Sequence, residues 1–408
     1  MKTLTYHSFA LRNSLIVLVL LCSCSEPAHS PKTLSGPHPV NNPNSPLMLA
    51  ADWVPEDVHQ IDFANLPQIP SLHTIVSDVR EAEGVNQHNY LAYHDGRYWI
   101  MWSDGPGKED RVGQVVKFSN SDDGVNWDTP RFLTPYPPGA KPDSEYYGVR
   151  SDKGLRWIAR GFWRPDGELL AIASLDEAGE FFGPSLQLML FRWNSETSAW
   201  DEAGVLADNA INNFPPKRLP TGEWMTSRRT HDYKDTGVQF LVGGVEGLDQ
   251  WSSFPVLKES DLDAEEPYWW VLPDNNLMAL FRDNNRSGYL FRSFSIDNGR
   301  TWNTPVRTNF PDARSKFHGI RMSDGRYALV SNVNPHQRDP LALSISDDGI
   351  IFNQMGYLVG GRNVNYPHMM EHDGHLLIAY AGDKRTVEVL KIRLEDVHNI
   401  QNMAADPE

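Results

Sequence analysis

The chain has 408 residues, 40% of them hydrophobic, and a formal net charge of −16. A body that acidic is a poor partner for nucleic acid, whose binding depends on neutralising phosphates. It carries two cysteines, both near the N-terminus, which excludes a disulfide framework or a cysteine-ligated zinc in the rest of the chain.

Lys2 and Arg12 precede an unbroken apolar run from Leu15 to Leu21. The run is too short for a stable membrane span and sits where the core of a signal peptide belongs. It ends in Leu21-Cys22-Ser23-Cys24, which resembles the lipobox of bacterial lipoproteins, with Cys24 as the lipidated residue because a small residue precedes it. Residues 1–23 are thus expected to be a signal peptide. Residues 24–50, rich in Pro, Ser, Asn and His, are expected to be a flexible tether. Loss of Lys2 and Arg12 takes the mature charge from −16 to −16 − 2 = −18. The expected location is exported and lipid-anchored to a bacterial membrane.

From residue 51 to 408 a repeat organises the chain. Short apolar strands flank tight turns at Asp95-Gly96, Asp166-Gly167, Thr221-Gly222, Asp274-Asn275, Asp324-Gly325 and Asp373-Gly374. After a longer first interval, the spacing stays at about fifty residues, within the range of propeller repeats. Such dipeptides between alternating apolar runs are strong hairpin signals, because Gly and Asn accept the positive φ of tight turns. A second feature follows each hairpin. Ser295-Ile296-Asp297-Asn298-Gly299-Arg300-Thr301-Trp302 is a complete Asp-box, and Ser121-Asp122-Asp123-Gly124 and Ser346-Asp347-Asp348-Gly349 are degenerate copies. The aromatic series Trp127, Trp200, Trp251, Trp302, Phe352 keeps the same spacing.

Each repeat therefore reads as a four-stranded blade, and the fold class as an all-β, six-bladed β-propeller with Asp-box turns. The last repeat stops after a third strand at Val387 to Leu394, so His73 to Ser77 is expected to supply its outer strand and close the ring. Residues Ala51 to Val85 are the source of a seventh blade if the ring has one. The Asp-boxes are read as structural, their Asp and Ser satisfying turn amides.

This topology puts the hairpins and Asp-boxes on one face and, on the other, the mouth of a central channel, where propellers bind ligands. Residues on the mouth face are His88, Asn89, Arg160, Glu266, His318, Tyr366 and His368 at inner-strand starts. Arg228, Arg229, Arg282 and Asn334 come from second-strand ends, and Tyr146, Tyr147 and Arg150 from a long interblade loop. Alternation sends only one of Arg228 and Arg229 inward. An acidic protein that gathers His, Arg and Tyr at one mouth offers a local site for an anion. Asp104 and Asp110 are candidate acids.

The Asp-boxes, the hairpin period and the Glu266-to-Arg282 segment resemble bacterial sialidases. The resemblance implies Tyr366 and Glu266 as a nucleophile pair and Arg282 as one of three arginines that grip a carboxylate. It departs at His88-Asn89-Tyr90, where sialidases have Arg-Ile-Pro, and at Asn332 to Asn334, where no third arginine stands. The chain is also similar to propeller polysaccharide lyases acting on ulvan and other rhamnose-uronate glycans. That resemblance implies a site of His88, Tyr146 or Tyr147, Arg160 and one of Arg228 or Arg229. In such a lyase the arginines neutralise the uronate, His88 removes the C5 proton and a tyrosine protonates the leaving oxygen. The expected function is cleavage of an acidic polysaccharide or oligosaccharide by β-elimination. The alternatives are a sialidase-like exo-glycosidase and a non-catalytic surface glycan-binding lipoprotein. Neither chemistry requires a metal or cofactor, a structural ion stays open, and a monomer is expected.

Overall fold

The computed structural model describes residues 38–137, 154–177, 182–256 and 262–400. The signal peptide, Cys24 and the first part of the tether lie outside them, as do Tyr146, Tyr147 and Arg150.

The described residues form six four-stranded antiparallel sheets, the blades of a β-propeller. Blade one runs from Gly84 to Phe132, two from Leu155 to Asp208, three from Lys217 to Pro255, four from Ala264 to Pro311 and five from Phe352's sheet, His318 to Val359. Blade six takes its three inner strands from Val364 to Arg393 and its outer strand from Leu72–Asp78. That clasp registers Leu72 against Lys391 and His73 against Leu390, so the two ends of the repeat region close one ring as the sequence predicts. The carboxylate of Glu388, fully buried, receives His73 at 2.6 Å and Tyr380 at 2.8 Å and locks the clasp from within.

No seventh sheet exists among the described residues. Residues 51–71 instead run along blade five, with Gln68 bridging Tyr357 and Val54, Val58, Phe63 and Leu66 buried. The folded body also begins earlier than residue 51. Met48 and Leu49 are fully buried, and Leu49 makes a parallel bridge to Phe352. Their amides donate to Asn309 Oδ1 at 2.7 and 2.9 Å. The tether composition ends in a docked segment because its last residues are apolar enough to be worth burying.

Hydrophobic side chains fill the space between blades, and the aromatic series explains how. Trp200 meets Trp99 of blade one at 5.9 Å, Trp251 meets Trp163 of blade two at 6.0 Å, and Trp302 meets Phe240 of blade three at 4.7 Å. Phe352 meets Trp270 of blade four, and Trp127 packs in a cluster with Leu377 of blade six. Each aromatic residue thus seals its blade to the one before. The Asp-boxes serve the same turn. Asp297 Oδ1 accepts the amide of Thr301 at 2.9 Å, and Asp123 and Asp348 accept their turn amides at 2.7 to 2.8 Å.

Candidate functional site

Three inner strands break their ladder at the same height. His88-Asn89, Glu266-Pro267 and Tyr366-Pro367 each set two residues against one on the neighbouring strand. Pro267 and Pro367 have no N–H to give a ladder, so a bulge is where they are tolerated. The first residue of each bulge has positive φ: 55° at His88, 47° at Glu266 and 54° at Tyr366. Such strain costs about 1–3 kcal/mol per residue and concentrates where side chains must be aimed. Here it turns His88, Glu266 and Tyr366 together at the mouth. A fourth bulge, at Ala159/Gly161, does the same for Arg160.

The rings of His88 and Tyr366 are in contact, with centroids 4.3 Å apart. The Tyr366 hydroxyl donates to Glu109, which is also paired with Lys384. Burial, then Glu109 and Glu266, push the phenol well above its usual range. Glu266 is paired with Arg282 at 2.5 Å. Burial opposes its ionisation, but Arg282, Lys316 and Arg229 outweigh that and hold it down at about 2. Asp110, the residue after Glu109, is paired with Arg156 at 2.9 Å. Burial, reinforced by Glu109 and Asp176 against the pull of Arg156, raises its carboxyl to about 6. This gives the mouth one carboxylate fixed in the ionised form and one that takes a proton near neutrality.

His88 sits well below the usual imidazole range, because it is buried and because Arg160, Lys316, Lys384 and Arg156 surround it. Its Nδ1 lies 3.3 Å from Ser103 Oγ. Ser103 is fully buried and its Oγ already accepts the Ala159 amide at 2.9 Å. The hydroxyl proton has Nδ1 as its acceptor among the described residues, which leaves the ring proton on Nε2. The resting imidazole is therefore a neutral donor at Nε2, whereas the elimination expected from the sequence needs an acceptor.

The other expected residues divide sharply. Arg160 is buried and its Nε donates to Ser174 Oγ at 3.0 Å, with no carboxylate paired to it among the described residues. Arg229 is the inward member of its pair, but Glu265 takes its charge at 3.0 Å. Arg228 turns aside to Asn209 O and Gln239 Oε1 and is no part of the mouth. Asn89 ties blade one to the Tyr366 carbonyl at 3.3 Å, a scaffold contact. Asn334 braces its own loop through Asp339 O and the His336 amide. Asp104 is buried and paired with Lys117, so Asp110 is the acid the loop presents.

His318 and His368 lie deeper than expected. Their rings touch, tilted, with centroids 4.2 Å apart, and form, with Tyr90, Phe214 and Tyr268, an aromatic plug across the channel. Each Nδ1 accepts a backbone amide at 3.1 Å, from Met369 and Leu91 respectively. Beyond the plug, a pocket of about 650 Å³ opens toward the turn face and is lined by Lys217, Tyr268, His318, His368, Glu371 and His372.

The residues missed in the sequence are Glu109, Lys384, Glu265 and Lys316. Glu109 had a signal, since it adjoins Asp110 in the loop already marked for an acid. Lys384 and Lys316 had none, because an isolated lysine between strands reads as surface. Among the described residues, no group of three or more His, Cys, Asp or Glu could hold a metal ion.

Residues 189–378 match the BNR repeat-like domain family. No curated protein matches the chain in sequence. Solved structures similar in fold include a protein of unknown function from Dyadobacter fermentans. It is 13% identical, with 80% of this chain and 100% of that chain covered and a TM-score of 0.65. The intramolecular trans-sialidase of Ruminococcus gnavus is 12% identical, covering 79% of this chain and 98% of its own, with a TM-score of 0.62. The leech intramolecular trans-sialidase is 13% identical, covering 81% and 71%, with a TM-score of 0.63. With six blades and Asp-box turns, the chain has the fold of these sialidase-like β-propellers, and the BNR repeat match covers its residues 189–378.

Proposed function

We propose that the chain is a glycan-cleaving enzyme acting on an anionic sugar by nucleophilic displacement, with Tyr366 as nucleophile and Asp110 as acid. One observation carries this reading: the Tyr366 hydroxyl is hydrogen-bonded to Glu109, and the next residue is a carboxyl raised to about 6. A phenol becomes a nucleophile when an adjacent base takes its proton as the bond forms. Tyr366 Oη attacks the anomeric carbon while its proton passes to Glu109, and the departing oxygen takes the proton of Asp110. Water then attacks the same carbon, gives its proton to Asp110, and the released tyrosyl oxygen recovers the proton held by Glu109. The pair is thus Tyr366 with Glu109; Glu266, fixed by Arg282, contributes constant negative charge beside a centre that becomes positive.

A second reading, β-elimination at a uronate, has its own support. Arg160 is a permanent cation without a carboxylate partner among the described residues, beside a neutral imidazole in contact with a tyrosine. In the tautomer that Ser103 favours, His88 would be the donor and the Tyr366–Glu109 couple the base. Incubation of the full-length chain with uronate- and sialate-containing glycans separates the two. Released sugar without new ultraviolet absorbance supports displacement, and an unsaturated uronate supports elimination. Turnover by Tyr366→Phe equal to that of the wild type would sink both.

The neighbours named above include trans-sialidases, and this is consistent with an anionic sugar here without fixing which one. Membrane attachment through Cys24 is also proposed. His38, fourteen residues further on, is bonded to the Asp-box residue Asp348 at 2.8 Å, so the tether enters the folded body on the turn face. Recovery of Cys24→Ala in the membrane fraction at the wild-type level would remove this proposal.

A further inference from the structure

The side of the aromatic plug that faces away from the mouth carries hydrogen-bond donors with no acceptor among the described residues. The His318 and His368 rings line the pocket of about 650 Å³ on that side. Both are buried, and their centroids are 4.2 Å apart. Each Nδ1 accepts a backbone amide and so carries no proton. The proton of each neutral ring is therefore on Nε2. Nε2 lies across the ring from the bonded strand, toward the channel axis, and neither has a hydrogen-bond partner among the described residues. With that proton in place, Nε2 is a donor and not a metal ligand.

Two more donors stand beside these rings. Lys217 Nζ gives one proton to Tyr268 Oη at 3.1 Å and one to the Trp269 carbonyl, which leaves its third. The ammonium lies 4.3 and 4.6 Å from the Tyr268 and Trp269 ring centroids, and no carboxylate is within ion-pair distance among the described residues. The buried Tyr268 hydroxyl accepts from Lys217, and its own proton has no acceptor among the described residues. Pro215, Ile320 and Met370 supply apolar wall. The rim is opposite in character. Glu371 accepts the Ser323 amide at 2.7 Å and the Ser323 hydroxyl, and Asp373 lines the same rim.

We propose that this pocket is a second binding site, separate from the mouth, for a small hydroxy acid, its carboxylate on His318, His368 and Lys217 and its hydroxyls toward Glu371 and Asp373. A buried donor left without an acceptor is costly, and a ligand that supplies acceptors removes the cost. A carboxylate has two oxygens and about four lone-pair sites, enough for the two adjacent Nε2–H groups and the ammonium together. A neutral sugar would leave the Lys217 charge without a counter-ion, and a polyanion would meet the rim carboxylates. Burial lowers the Lys217 amine to about 7, and an adjacent carboxylate favours its charged form. The volume lies within the range of small-molecule sites. The site is across the plug from Tyr366 and holds whether or not the mouth cleaves a glycan.

The test is calorimetric titration of the full-length chain with sodium D-gluconate, D-sorbitol and sodium propionate. Gluconate carries both the carboxylate and the hydroxyls, and the other two carry one each. The expected result is binding of gluconate, about tenfold or more tighter than propionate, and no binding of sorbitol. Asn is the informative replacement for each histidine, because its side-chain carbonyl can accept the amide that Nδ1 accepts while the Nε2 donor is lost. His318→Asn, His368→Asn and Lys217→Gln should each weaken gluconate roughly ten- to hundredfold. Arg160→Gln, on the mouth side of the plug, should leave it unchanged. A second measurement needs no variant and so survives any failure to fold. In long-range proton–nitrogen spectra of the chain labelled at its 14 histidines, gluconate should move Nε2 signals and leave their protons on Nε2. No binding of gluconate, equal binding of sorbitol or propionate, or no shift of any imidazole nitrogen overturns the site. So does loss of gluconate binding in Arg160→Gln but not in His318→Asn, which would put the acid at the mouth.

Discussion

Replacing Arg156 by Met should be among the most damaging single changes near the mouth, and the structure sets its size and its pH dependence. Arg156 and Asp176 are both fully buried and joined by two parallel contacts, Nε to Oδ1 at 3.0 Å and Nη2 to Oδ2 at 3.1 Å. Removing one partner of such a pair leaves a buried charge uncompensated, at a cost of about 3–5 kcal/mol. Asp176 has an escape, because it can take up a proton. Burial already raises its carboxyl, and Arg156 is the main force opposing that. Without Arg156 its folded-state pKa rises further above the unfolded value. The native state then binds a proton that the unfolded state lacks, so stability is highest below the unfolded pKa and falls as pH rises through the folded one. Denaturant midpoints at pH 5 and pH 8 provide the assay. The deficit of Arg156→Met should be largest at pH 8 and shrink at pH 5, and Arg156→Met with Asp176→Leu should recover most of it. A single variant within about 1 kcal/mol of wild type at pH 8, or a deficit that ignores pH, would refute the reasoning about this buried pair.

Four further outcomes are expected. Tyr366→Phe should lose at least about a thousandfold in kcat on any glycan the wild type cleaves while keeping its affinity, since it removes the proposed nucleophile and its bond to Glu109; saturation kinetics check this. Activity should fall as pH rises through about 6, because Asp110 must carry its proton, and Asp110→Asn should abolish that limb in a pH–rate profile. Arg156→Met should move the same limb upward, since Arg156 is the main group holding Asp110 down. Leu49→Ala should cost about 2–5 kcal/mol in thermal or denaturant unfolding, the price of a cavity at a fully buried position, whereas a truly free tether residue would cost nothing.

How much of this was legible in the sequence follows from what kind of signal each feature leaves. The blades were legible because every blade needs a turn with positive φ and an aromatic seal, and both recur in the sequence: Gly299 of the complete Asp-box has φ 83°, and Trp302 beside it packs on Phe240. The ring closure was legible because a repeat short of one strand must find it elsewhere. The boundary of the tether was misplaced by a few residues, since Pro-rich composition persists to Pro46 while Met48 and Leu49 are already in the core. That residues 51–71 form a strap and not a seventh blade was not legible, because unpatterned residues read alike in either role.

The site was legible as a neighbourhood and not as a mechanism. Topology alone brought His88, Arg160, Glu266, Arg282 and Tyr366 to one mouth, since each stands at the same height of its blade. What each does there depends on its partner: Glu266 and Arg282 pair within blade four, whereas other partners come from a neighbouring blade. Arg229 and Arg160 look alike in the sequence, yet Glu265 of blade four cancels one and nothing among the described residues cancels the other. Tyr366 of blade six meets Glu109 of blade one, across the seam where the ring closes. Two prolines did carry more than was taken from them. Pro267 and Pro367 stand inside inner strands, where a missing N–H is tolerated at a bulge, and the bulge is what turns Glu266 and Tyr366 into the channel. His88 reaches the same conformation without a proline, so its aim depends on Ser103 and on contact with Tyr366 rather than on its own backbone chemistry. The proposed catalytic geometry of this mouth is therefore a property of the closed ring, and loosening the clasp between Leu72–Asp78 and blade six should disturb Tyr366 and Glu109 before it disturbs Arg160.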